Sequence, residues 1–311
     1  MPDYNLLVDE FAASDLGTLF HQPAFFRLHA GNSGRYFQWT DGREVVGVVH
    51  FTEVEPGVWR SPARGTFAGY AWSQELPVEQ LFAFHDRVEA ELARAGARRV
   101  EVLPAPMAHD PAAFSNALYL LRARGFKMET CDLNHALTVS GVPLAERMTY
   151  GNRKRLRKAE REGYLVARLG LERLPAVYDA IAANRAGKGN EMSMRLSQLE
   201  EMAALFPDRL VLFGMAEPGA QDEQLAASAV CLRLSPSVLY VFYWGDRPGY
   251  AALSPVVALA EAIYGYCQAE KVALFDVGTS TIDHAPNHGL IGFKRGLGFT
   301  ETLKVRMAKR L

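Results

Sequence analysis

Six cations stand within nine residues at Arg153, Lys154, Arg155, Arg157, Lys158 and Arg161, offset by Glu160 and Glu162. Such density can grip phosphates, and the same pattern suits a solvated helix that joins two domains. A second anion signal is GDRPGYAALSP (245–255), in which Ser254 and Pro255 fit the cap and first turn of a helix. Helix starts favour anions through their free N–H groups and dipole, and Arg247 is a candidate to reinforce them against a phosphate. A capped surface helix with a turn before it is the plain alternative. Asp276 ends the apolar run VALFDVG, so its carboxylate is either buried with partners or at a cleft edge. His284 and His288 lie in the polar stretch TSTIDHAPNHG, where a histidine can work as acid or base near neutral pH. With Asp283 they form only a superficial metal-ligand set, no further ligand follows at a fixed spacing, and no metal is expected. The glycine-rich break NRAGKGNEMSMR (184–195) carries Arg185, Lys188 and Glu191; its Gly187 and Gly189 lack a preceding strand and make no nucleotide fingerprint.

The elements that must position these groups can be read from periodicity. Residues 77–96 place Leu81, Phe84, Val88 and Leu92 at helical spacing, with Gly96 as a stop. A strand at 98–104, a helix at 111–124 and a strand at 127–139 follow. The end of the chain repeats that order, with a helix at 254–271, a strand at 272–278, a helix at 288–296 and a strand in TETLKVRMA. Val100 and Val272 open matching strands 172 residues apart, and the Gly-Phe pairs at Gly125 and Gly298 stand 173 apart, which points to duplication. Upstream, YFQWTDG, EVVGVVHFTEV and GVWRSPARGTFAGYAW parallel RLVLFGMAE, LAASAVCLRLS and SVLYVFYWGD as sets of antiparallel strands. The second set is preceded by a strand, YLVARLG, and two helices, and the helix after its third strand crosses to a parallel neighbour. The predicted domains are 1–145 and 146–311, the latter opened by an ordered basic helix at 152–162.

The 34 basic and 35 acidic residues nearly cancel, so no global field favours nucleic acid or membrane. The 311 residues, 49% hydrophobic, suffice for two modest cores. Cys131, Cys231 and Cys267 are odd in number and lack CxxC spacing, which predicts buried free thiols. The acidic N-terminus lacks the build of a secretory signal, and no run reaches the length of a spanning helix, so a cytoplasmic protein is expected.

GNRKRLRKAEREGY (151–164), FDVGTS (275–280) and GFKRGLGF (292–299) together resemble, in this order, motifs of the Fem-type peptidyl and aminoacyl transferases and their acetyltransferase relatives. The resemblance covers about 150–311 well and the first half only through the repeat. It implies an α/β chain of two tandem GNAT-type folds, mixed sheets flanked by helices. The first half is then degenerate and on the acceptor side, and the second is catalytic and holds the donor. The implied reaction is acyl transfer from acyl-CoA to a small amine or peptide, with aminoacyl-tRNA as the alternative donor and a non-catalytic ligand-binding protein as a further alternative. Two departures bear on the donor: the Gly-x-Gly/Ala acetyl-CoA loop is absent from 245–255, and the coiled-coil arm of some Fem enzymes is missing. The resemblance puts the sheet's opening at YVFYWGD, with backbone N–H groups around Tyr243 and Trp244 facing the oxyanion. It puts the donor phosphates near Gly245, Arg247, Gly249, Tyr250 and Ser254. Lys294 matches the family's Phe-Lys pair, thought to neutralise charge on the donor or reacting carboxyl, and Asp276 is a candidate to orient it. Arg185 and Lys188 are implied on the acceptor, with Glu191 a possible base; Tyr70, Trp72 and His284 are further substrate candidates.

Overall fold

The computed structural model describes residues 3–31, 33–216, 218, 224–282 and 285–311. The chain divides into two compact units, Met1–Leu133 with Thr302–Leu311, and Asn134–Glu301.

The first unit contains β1 (Tyr4–Val8), α1 (Pro23–Ala30), β2 (Gly34–Asp41), β3 (Glu44–Glu55), β4 (Val58–Ser61), β5 (Ala71–Trp72), α2 (Val78–Arg94), β6 (Arg99–Val102) and α3 (Pro111–Ala123). The strand expected over GVWRSPARGTFAGYAW is split into β4 and β5. Pro62 has no N–H to give a ladder, and Gly65 and Gly69 take positive φ between the two pieces. β1 and α1 had no sequence expectation. The core gathers Phe37, Trp39, Phe51, Trp59, Phe84 and Phe126.

The second unit begins within β7 (Lys127–Thr138) and continues through α4 (Leu144–Arg147), α5 (Tyr150–Arg161), β8 (Leu165–Leu169), α6 (Leu174–Ala186), α7 (Leu196–Leu205), β9 (Leu210–Ala216), β10 (Leu225–Ser235) and β11 (Val238–Asp246). α8 (Pro255–Ala269), β12 (Leu274–Thr279), β13 (Thr281–Ile282), β14 (Ala285–Pro286) and α9 (His288–Gly296) complete it, before β15 (Thr300–Arg310) carries the chain back into the first unit. β8 to β11 are antiparallel neighbours in chain order, and α8 crosses over to β12, which runs parallel to β11.

The unit bounds differ from 1–145 and 146–311 because the two repeats exchange their last strands. β6 pairs with β15 rather than β7, and β12 pairs with β7 rather than β15. The duplication itself is visible in the helix ends. Gly125 and Gly298 follow α3 and α9 at φ 86° and 97°, the left-handed conformation that closes a helix, and each hands on to a buried phenylalanine. Cys231 and Cys267 are buried, but Cys131 is exposed on β7, correcting the expectation of three buried thiols. No helix among the described residues is long and apolar enough to cross a membrane.

The first unit also buries histidines. His21 accepts the Thr18 N–H at 3.0 Å, and His50 lies 2.7 Å from the Phe20 carbonyl oxygen through Nε2. Burial, helped by the neighbouring His50, holds His21 down to about 3, and burial holds His50 down to about 4, both from 6.5. The unfolded chain therefore binds more protons between pH 6.5 and about 4, and stability falls as pH drops through that window, by at most about 1.4 kcal/mol per unit and histidine. A His50→Gln variant is expected to lose less of its urea midpoint between pH 7 and 4.5 than the parent; equal losses in both proteins would contradict the buried neutral ring.

Candidate active site

β11 and β12 pair in parallel only from Val238–Leu274 to Tyr240–Asp276, although both strands continue. β11 carries a bulge at this point: Val230 pairs with Tyr243 and Cys231 with Val241, which leaves Phe242 as the extra residue. The sheet opens, and beyond Tyr240 the β12-facing edge of β11 has no ladder partner among the described residues. Two helix starts close on the gap. A cleft of about 530 Å³ is lined by Trp244, Gly245 and Asp246 of β11, Ser254, Pro255 and Val256 at the start of α8, and Asn287, Gly289, Leu290 and Phe293 at the start of α9. Asn184 and Lys188 complete the lining.

Local sequence explains each wall. Asn287 caps α9 by accepting the Leu290 N–H at 3.0 Å, a signal that was readable in the sequence but missed. Trp244 stands edge-on to Phe293 with ring centroids 6.5 Å apart. Asn184 donates to the Asp246 carbonyl oxygen at 2.6 Å and to its carboxylate at 3.0 Å, fixing the end of β11, while Lys188 donates to Asn184 Oδ1 at 3.0 Å. Gly245 admits this contact, since a Cβ there would sit 3.0 Å from Asn184.

Trp244, Gly245, Lys188 and Ser254 thus share one cleft; other expected groups do not line it. Arg247 is held by Asp179 at 2.7 Å and by the Leu225 carbonyl at 3.3 Å, an arrangement that competes with its expected phosphate role. Ser254 occupies the N-cap of α8 in a left-handed conformation, φ 47°, and its side chain does not cap the helix, contrary to the expectation. Pro255 brings no N–H. Gly249 takes φ 101°, and Tyr250 closes a turn onto the Arg247 carbonyl at 3.3 Å. The Tyr243 hydroxyl bonds Ser193 and its ring lies 5.0 Å from the Arg185 guanidinium; burial pushes its phenol up, which suits a neutral group. Glu191 is exposed, with its backbone oxygen accepting from Arg185 at 3.4 Å. His284 lies outside the described residues. Tyr70 and Trp72 line a separate pocket of the first unit, about 60 Å³.

Behind the opening lies a buried polar network. Asp276 accepts from Asn134 Nδ2 at 3.0 Å and from the Gly278 N–H at 2.7 Å, folding the end of β12 into a turn. Lys294, 2% exposed, donates to the carbonyls of Gly278 and Thr279 at 2.9 and 2.8 Å. Burial pulls its ammonium down to about 7, against the opposing pull of Asp276. His135 Nδ1 lies 3.1 Å from Ser280 Oγ, and burial followed by Lys294 lowers its pKa. Asp276 therefore shapes the turn whose carbonyls receive Lys294. Asn134 and His135, supplied by the exchanged strand β7, had no signal beyond being polar residues in a strand. Among the described residues no cluster of three or more metal-ligating side chains occurs.

No family model and no curated protein matches the sequence. Solved structures do match by fold. FemX superposes with TM-score 0.72 at 14% identity, covering 97% of this chain and 94% of that one. L-PGS from Bacillus licheniformis gives TM-score 0.60 at 12% identity, with 91% and 86% covered. A tandem GNAT protein from the clavulanic acid biosynthesis pathway gives 0.53 at 14% identity, with 99% and 98% covered. The expectation drawn from the three motifs is met at the level of architecture: this chain has the tandem GNAT fold of FemX-like proteins.

Proposed function

We propose that the second unit transfers an acyl group from an activated donor, a thioester or ester, to an amine. The observation that carries this reading is the parting of β11 from β12 beside two helix starts, around a cleft of about 530 Å³. That volume lies within the roughly 300–1,000 Å³ of small-ligand sites. The unpaired edge of β11 beyond Tyr240 supplies backbone N–H groups of the kind that hold a tetrahedral oxyanion, and Trp244 with Phe293 gives an apolar wall for an acyl arm. The amine attacks the carbonyl carbon, a C–N bond forms, the acyl C–S or C–O bond breaks, and the proton lost by the attacking nitrogen ends on the leaving thiolate or alkoxide.

Acyl-CoA is the first donor reading, with its anionic part at Lys188 and the start of α9. The fixed Arg247 and the proton-less Pro255 make the start of α8 a poor pyrophosphate cradle, which favours a second reading with aminoacyl-tRNA. Specific support for that reading is a stripe on α5, where Tyr150, Lys154, Arg157 and Arg161, with Glu160 among them, line one surface groove and Tyr150 is 73% exposed. Phosphate contacts and base stacking use such residues. The test incubates the full chain with acetyl-CoA or charged tRNA and a panel of amines and peptides, read by mass spectrometry. Products that require the CoA thioester support the first reading, and products that require charged tRNA support the second. Donor binding without any product would make the chain a non-catalytic ligand-binding protein.

A further inference from the structure

The first unit keeps a reduced counterpart of the cleft. Trp72 stands 172 residues before Trp244, the same spacing that relates Val100 to Val272. The pocket beside Trp72 lies at the start of α3, the repeat partner of α9, and measures about 60 Å³. A water needs roughly 10–15 Å³ on this measure, so the pocket admits a group of about four to six heavy atoms. Its walls include Tyr70, Trp72, His109 and Phe114, with Asp110 at the same site. The Tyr70 ring is fixed by its hydroxyl, 2.8 Å from His85 Nδ1.

Charge selects among occupants. Asp110 Oδ1 accepts the Ala112 and Ala113 N–H groups at 3.0 and 2.9 Å, so the helix start that would hold an anion is already taken by a carboxylate. The Asp110 carboxylate, half-buried, lines the pocket beside the rings. A neutral apolar guest would suit the rings but would strip water from that carboxylate without replacing it. A compact organic cation satisfies both, through the faces of the rings and the charge of Asp110. We propose that this pocket binds a small alkylammonium head, trimethylammonium in size, independently of whether the second unit transfers acyl groups.

Calorimetric titration of the full chain with choline and with its neutral isostere 3,3-dimethyl-1-butanol tests this. Choline is expected to bind saturably and about tenfold tighter than the alcohol, a factor that corresponds to roughly 1.4 kcal/mol. Asp110→Asn retains a good helix cap while removing the charge, and should bring the two affinities within about threefold of each other. Ala113→Leu, which fills the pocket from α3, should abolish choline binding with the far-ultraviolet circular dichroism unchanged. Equal affinity for choline and the alcohol, no binding of choline, or undiminished binding by a folded Ala113→Leu protein would overturn the proposal.

Discussion

Replacing Gly289 with tryptophan is expected to lower acyl transfer by at least about 100-fold while leaving the fold intact. Gly289 lines the cleft near the start of α9, and a Cβ there would meet only Asn287 Oδ1, at 3.6 Å, so the backbone accepts a side chain. Replacing glycine in a helix removes its conformational penalty, a gain of roughly a few tenths of a kcal/mol on going to tryptophan, and the Asn287 cap on Leu290 is retained. The indole would occupy the space proposed for the donor between Trp244, Val256 and Phe293. Since misplacing reactants by about 1 Å can cost 10²-fold, a ring filling that space should do at least as much. Turnover and melting temperature measured on the same preparation check the expectation. A folded variant with parental turnover would place the reaction elsewhere.

The second large effect concerns Lys294. Its pKa is about 7 in the folded chain against 10.5 when unperturbed, so between these values the unfolded chain binds the extra proton. The parent protein should therefore gain stability as pH rises through that window, and lose it as pH falls toward 7, by up to about 1.4 kcal/mol per unit. A Lys294→Met protein lacks this titration and leaves the carbonyls of Gly278 and Thr279 without their donor, a cost of about 1–3 kcal/mol for each unsatisfied group. The difference in stability should move in the parent's favour by up to about 3 kcal/mol between pH 7 and 9.5. Urea unfolding at the two pH values reads this directly. Parallel profiles would mean that Lys294 keeps an ordinary pKa and that the network behind the opening is not as buried as described.

Much of this architecture follows from local physics that a sequence displays. The repeat was legible because helix ends impose their own residues: Gly125 and Gly298 supply positive φ, and the following phenylalanines re-enter the core. The meander β8 to β11 was legible because alternating and fully apolar runs fix which segments form strands. What remained hidden was partnership. Periodicity makes β7 and β15 strands, but it cannot say that each pairs with a strand of the other repeat, because a strand's own pattern does not name its neighbour. Arg247 illustrates the same gap at the scale of a side chain. Its place before a helix suggests phosphate, yet Asp179, far away in sequence, takes the guanidinium. Ser254 and Pro255 read as a good helix start, but the left-handed turn at Ser254 rotates the hydroxyl out of the capping role. Asp276 and Lys294 read as a possible couple in the sequence, but no spacing encodes the turn between them, in which the Gly278 carbonyl accepts from Lys294 and its N–H donates to Asp276.

Thermal-shift titration of the parent and the Gly289→Trp protein with acetyl-CoA and with charged tRNA interrogates the opened sheet most directly. Saturable stabilisation of the parent by one of these donors, absent from the equally folded tryptophan variant, is the predicted result. Stabilisation of both proteins alike, or of neither by any donor, would contradict the assignment of the gap between β11 and β12 as the seat of the acyl donor.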